Sequence, residues 1–79
     1  MISIIIVNYN VKSYLKKCID SIFNSISNLD FEIVIVDNNS NESIDDLKSE
    51  KISVYHMDKN SGFSSAVNFG ISKAKKEVL

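Results

Sequence analysis

Proline is absent from this chain, and cysteine, histidine and glycine are scarce: one, one and two residues. Each scarcity narrows the reading. The lone Cys18 excludes a disulfide framework and any cysteine-based metal spacing. With no proline and so little glycine, no linker divides the chain. Charge of neither sign dominates, because nine Lys and Arg face ten Asp and Glu for a formal net charge of -1. No basic patch therefore points to nucleic acid, and Lys73, Lys75 and Lys76 read as a solvated helix end. No run approaches the roughly 20 apolar residues of a membrane span. The apolar start carries neither a basic leader nor a cleavage site. The expected setting is a reducing cytoplasm. The chain's 79 residues make one small domain or part of a larger one. At that length it buries only roughly 60 to 65% of its unfolded surface.

What is present alternates. "ISIIIV", Ile2 to Val7, and "FEIVIV", Phe31 to Val36, are short runs, apolar on both faces. Such runs suit a parallel sheet covered on both sides. Between them, Val11, Tyr14, Leu15, Cys18, Ile19, Ile22, Phe23 and Ile26 recur at helical spacing and form one apolar stripe. Asn10 is placed to cap that helix, and Cys18 falls within its core stripe. A short second helix is expected over Ser43 to Ser49, with Ser43 and Asp46 as a capping box. "ISVYHM", Ile52 to Met57, alternates more, as a strand nearer the sheet edge does. A third helix is expected from Ser61 or Phe63 to Lys75. It has one row of Phe63, Val67 and Ile71, and a small row of Ala66, Gly70 and Ala74 that permits close approach to a sheet. "EVL" then reads as the start of a fourth strand. The expected fold is α/β, a three-layer open parallel sheet with helices on both faces. The chain is expected to be the N-terminal part of a longer domain, cut at that fourth strand.

Parallel strands share one carboxyl edge, where open α/β sheets bind their ligands. The three strand ends read "NYN" (Asn8 to Asn10), "DNNSN" (Asp37 to Asn41) and "DKNSG" (Asp58 to Gly62). Each strand empties into a polar cluster on the same side. Asp37 comes directly off a buried strand and is the foremost ligand candidate. Asn38, Asn39, Ser40 and Asn41 taken singly also read as turn formers. Tyr9 reads equally as an edge residue or a stacking surface. Asn60 suits a helix cap and Gly62 a positive φ. Asn68 is solvent-facing or bound to the crevice loops. His56, with no Ser, Cys or second His nearby in the pattern, reads as structural or surface. No G-x-G-x-x-G, P-loop, H-E-x-x-H or Cys/His cluster occurs, which disfavours a dinucleotide site and a phosphate cradle within the chain.

"ISIIIVNYN", "CIDSI", "FEIVIVDNNS" and "NSGFSSAVNFGI", in this order and spacing, resemble the start of family 2 glycosyltransferases with the GT-A, Rossmann-like fold. The last stretch is similar to the rhamnosyltransferase-like branch. The resemblance spans essentially the whole chain and implies binding of a nucleotide-diphosphate sugar, UDP- or dTDP-linked. It implies Tyr9 stacking on the base, Asp37 accepting a hydrogen bond from it, and Asn60, Gly62 and Asn68 shaping a third wall. Asn8 and Asn39 complete the candidate substrate-binding set. The family's metal motif and catalytic base lie beyond Leu79. The implied whole enzyme uses Mg²⁺ or Mn²⁺ and transfers a sugar with inversion to a glycan or lipid-linked acceptor, at the inner face of the membrane. No catalytic or metal-binding residue is expected in this stretch, which alone is expected to be inactive.

Two other readings stand beside this one. A small non-catalytic α/β module for nucleotide or protein binding fits the same length. A receiver-like domain fits less well, because acidic residues are missing after the first strand. An open apolar edge on the first strand also predicts self-association into a homo-oligomer.

Overall fold

The computed structural model describes residues 2–26, 29–59, 62–74 and 77–78. The elements are β1 (Ile2–Asn8), α1 (Lys12–Ile26), β2 (Phe31–Asp37), a 3₁₀ turn (Asp45–Leu47), β3 (Ile52–His56), α2 (Phe63–Lys73) and β4 (Glu77–Val78). All strand pairs are parallel, and the sheet order is β3-β2-β1-β4. The chain steps outward from β1 to β3, then returns to the far side of β1. A constant crossover hand requires the returning helix to cross the opposite face, and α2 does so. This is the expected α/β sandwich of helix, parallel sheet and helix. Among the described residues, no helix is long and apolar enough to cross a membrane.

Strand alternation assigns the two faces. Ile4 and Ile6 of β1, Phe31, Ile33 and Ile35 of β2, and Ile52 and Val54 of β3 meet Leu15, Ile19 and Ile22 of α1. Phe23 of α1 meets the Phe31 ring edge-on, with centroids 5.3 Å apart. The opposite residues, Ile5, Val7, Val34, Val36 and Tyr55, meet Ala66 and Phe69 of α2. The central strand β2 is buried from Ile33 to Asp37, as the run of β-branched residues demands. As expected, β3 is an edge strand, and Glu77 and Val78 do begin a fourth strand. They pair with Ile2 and Ser3, so the outer side of β1 has a neighbour at its start.

Four local expectations are corrected. The helix foreseen over Ser43–Ser49 is a 3₁₀ turn of three residues, because only Ile44 and Leu47 have core to reach. The capping box does not form: Ser43 Oγ accepts from the Asp45 N–H at 3.4 Å, and Asp46 turns away to pair with Lys12 Nζ at 2.9 Å. Asn10 does not cap α1, because its Oδ1 accepts from the Asn41 N–H at 2.8 Å. The Lys12 N–H is instead satisfied by Glu42 Oε1 at 2.9 Å, from a loop 30 residues away in sequence. Cys18 is exposed. Leu15 and Ile19 hold the buried line of α1, which leaves Cys18, Tyr14 and Val11 on its flank. On α2 the small row, Ala66 and Gly70, faces the sheet, while Phe63 and Ile71 are exposed.

Candidate functional site

The register brings one residue from each of three strands into a single row. Asn8 of β1 stands opposite Asp37 of β2, and Asp37 stands opposite His56 of β3. All three close their strands, and all three share the parity of the side chains that face α1. The apolar layers end at Ile6, Ile35 and Val54, and this polar row lies one step further toward the carboxyl edge.

A chain of hydrogen bonds runs along the row. Asn8 Nδ2 donates to Asp37 Oδ1 at 3.1 Å. Asp37 Oδ2 lies 3.2 Å from His56 Nδ1, and His56 Nε2 lies 2.8 Å from Asp45 Oδ1. Asn8 is fully buried and Asp37 nearly so, whereas the His56 and Asp45 side chains are about half exposed. The row thus runs from dry interior to solvent. Two flanking carboxylates suit an imidazolium, since only the cation donates from both nitrogens. The Asp45 hydrogen bond is the chief cause raising the His56 pKa above its ordinary 6.5. Partial burial opposes the rise, and Asp37 adds to it. In turn, the hydrogen bond from His56 holds the Asp45 carboxyl below its ordinary value.

Asn8 is fixed by this arrangement. Turning its amide over would set two oxygens against each other at Asp37, so Nδ2 must face the carboxylate. Nδ2 also reaches Ser40 Oγ at 3.3 Å. Asn8 Oδ1 is left buried without a partner among the described residues. A buried orphan acceptor costs about 1 to 3 kcal/mol, and it is tolerated here because the amide's other end serves two acceptors.

The loops above the row are stitched to one another. The Asn38 N–H donates to the Asn8 carbonyl at 2.8 Å, and the Asn10 N–H donates to Ser40 Oγ at 2.8 Å. Asn10 and Asn39 both hold left-handed backbones, with φ of 55° and 64°, which Asn tolerates better than most residues. Asn39 is exposed and thus serves as a turn former at the rim. Tyr9, next in sequence after Asn8, is 48% exposed. Gly62 has the expected positive φ, 91°, at the start of α2. Its carbonyl lies 3.5 Å from Asn38 Nδ2, at the limit of a hydrogen bond. That contact joins the wall after β3 to the loop after β2.

Of the candidates named from the sequence, Asn8 and Asp37 are in direct contact, with Tyr9 and Asn39 on the rim and Gly62 one contact away. Asn68 is exposed on α2, and no hydrogen bond among the described residues ties it to the crevice loops. Asn60 lies outside the described residues. His56, read from the sequence as structural or surface, is on the surface yet grips the Asp37 carboxylate. Its parity with Ile52 and Val54 was the signal that placed it on this face. Among the described residues, no group of three His, Cys, Asp or Glu side chains is placed to hold a metal ion. The described residues do not fit a metal site.

Comparison with known proteins supplies the context. The family model described as glycosyl transferase family 2 matches residues 3–79. The chain is also similar to a curated protein named Glycosyltransferase GlyG, from Streptococcus pneumoniae serotype 4. The two are 28% identical over 85 residues. That match covers 100% of this chain but only 28% of the relative's length.

Proposed function

The chain belongs to glycosyl transferase family 2, and from that premise we propose that residues 1–79 form the donor-binding part of a glycosyltransferase domain. The donor is a nucleotide-diphosphate sugar, UDP- or dTDP-linked. The observation that carries the reading is the in-register row of Asn8, Asp37 and His56 at the carboxyl edge of parallel strands. The order β3-β2-β1-β4 reverses beside β1, and ligands of open α/β sheets bind outside the strand ends at such a reversal.

Each residue has a task that its surroundings permit. Asp37 is held on both oxygens, yet each carboxylate oxygen accepts two hydrogen bonds. It therefore retains capacity for an N–H of the base. Tyr9 offers an exposed ring on which the base stacks. Asn8, having no exposed surface, acts through Asp37 by orienting its carboxylate. Asn39 shapes the rim, and Gly62 belongs to the wall after β3, with Asn68 further along α2; the resemblance adds Asn60 to the candidate substrate-binding set. The donor's diphosphate takes its counter-charge from residues beyond this stretch. In this reading the whole enzyme, of rhamnosyltransferase-like type, inverts the anomeric centre. It passes the sugar to a hydroxyl of a glycan or lipid-linked acceptor on the cytoplasmic side; Mg²⁺ or Mn²⁺ would be held by residues other than the described ones and would steady the leaving nucleoside diphosphate.

The test is Asp37→Ala in the full chain, read by calorimetry against UDP and dTDP. A hydrogen bond to a charged group is worth roughly 1.5 to 3 kcal/mol, so affinity should fall roughly 10- to 150-fold. Asp37→Asn keeps the shape and tests the charge alone. Unchanged affinity in a folded Asp37→Ala protein would remove Asp37 from the site.

A further inference from the structure

We propose that His56 is a positioning residue for the donor site: by bridging Asp37 to Asp45 it fixes the Asp37 carboxylate and offsets its charge where a polyanionic donor must bind. The inference rests on the donor-binding reading above and deepens it.

Three observations lead there. First, the bridge is geometric and two-sided, with Nδ1 at 3.2 Å from Asp37 and Nε2 at 2.8 Å from Asp45. Second, among the described residues the cation paired with Asp37 is His56. Third, the bridge ties two separate pieces of chain together. Asp45 belongs to the 3₁₀ turn, whose flanking Ile44 is fully buried under the same face. His56 therefore clamps that turn onto the end of β2 and holds Asp37 from the side opposite Asn8. A nucleoside diphosphate carries several negative charges. Asp37 and Asp45 with an imidazolium between them sum to one negative charge, but with a neutral imidazole to two. The repulsion of the ligand follows the proton.

The charged groups around His56 come from every neighbouring element. Asp37 faces it from β2, and Asp45 faces it from the 3₁₀ turn with Asp46 and Lys48 close behind. Asp58 and Lys59 follow it on its own strand's exit and, with Met57 and Phe69 of α2, line the groove it borders. The two aspartates in direct contact dominate, because their hydrogen bonds raise the imidazolium's pKa. Affinity for a nucleoside diphosphate should then be constant in mild acid and fall as pH rises through the His56 titration.

The experiment measures UDP and dTDP binding to the full chain across that pH range, in wild type, His56→Gln and Asp45→Asn. A ligand's own ionisation is common to all three and cancels in the comparison. His56→Gln keeps a side-chain donor but no cation. It should weaken binding about two- to five-fold in mild acid, the size expected for a partly exposed pair, and lose the alkaline decline. Asp45→Asn should keep binding in mild acid and shift the decline to lower pH. NMR titration of the His56 ring should show the same downward shift without any ligand. If wild type binds either nucleotide and His56→Gln matches it in affinity and pH profile, the positioning role is overturned alone. A His56 midpoint unmoved by Asp45→Asn overturns the bridge. Wild type that binds neither nucleotide sinks the donor reading and this inference with it.

Discussion

Helices α1 and α2 cover opposite faces of one sheet by opposite means. Under α1 the layer is deep: Leu15, Ile19, Ile22 and Phe23 interdigitate with isoleucines from three strands and with Phe31. Under α2 the layer is shallow. Ala66 is fully buried, and Gly70 lies against Ile5 and Val36. The backbone of α2 runs close over β1 and β2, while the bulky side chains of α1 hold it further off. A deep layer is stabilised by apolar area, a shallow one by the absence of a single carbon. The two faces should therefore fail in opposite directions, one by losing atoms and the other by gaining them.

Breaking the deep face should have the larger effect. Ile35 is fully buried there, and Ile35→Ala should cost about 2 to 5 kcal/mol by transfer and cavity effects together. Urea unfolding would measure it, and a loss well under 1 kcal/mol would show that the layer is not packed as described. The shallow face responds to addition. A Cβ on Gly70 would stand 2.6 Å from Ile5 Cγ2 and 3.1 Å from Val36 Cγ2. Overpacking costs about 1 to 3 kcal/mol, against which alanine gains about 1 kcal/mol in helix propensity. The net loss for Gly70→Ala should be on the order of 1 kcal/mol. In an Ile5→Ala background the 2.6 Å clash disappears and the 3.1 Å approach to Val36 remains, so the same change should cost less than in the wild type. If Gly70→Ala stabilises the wild type, close approach is not what holds α2 in place.

The contrast between faces was legible in the sequence where it depended on local pattern. The β-branched runs gave both central strands, alternation gave the edge strand, and the small row on α2 announced a close approach. What escaped depended on partners far along the chain. The start of α1 is satisfied by Glu42 rather than by Asn10, because the loop after β2 folds over it. Cys18 lies only three residues from Leu15, yet the helix is rolled so that Leu15 and Ile19 take the buried line. Asp37 was visible because it ends an unbroken apolar run. Asn8 was named with it, but its contact with Asp37 and the place of His56 were not legible, since they lie 29 and 19 residues away. Only the pairing of Ile2 with Phe31 and of Ile33 with Ile52 sets all three level.

The smallest expected effect sharpens the comparison most, because the ion pairs of His56 with Asp37 and Asp45 and of Lys12 with Asp46 gather at β2's end and the 3₁₀ turn on the deep face. His56 has a raised pKa in the fold, so its contribution is full below about 6.5 and lost as pH climbs through the folded value. Asp45 and Asp46 have lowered values, held down by His56 and Lys12 respectively. Their contribution is present above about 3.8 and lost as pH falls through the folded values. Stability should therefore peak in mild acid and decline gently on both sides. These groups are exposed, so the slopes should be shallow. His56→Gln should flatten the alkaline side and also remove Asp45's share of the acid side, whereas Lys12→Ala should weaken only the acid side. Gly70→Ala, acting through the other face, should lower the whole curve without changing its shape. A Gly70→Ala curve with an altered alkaline limb would show that the two faces are coupled through the sheet rather than independent.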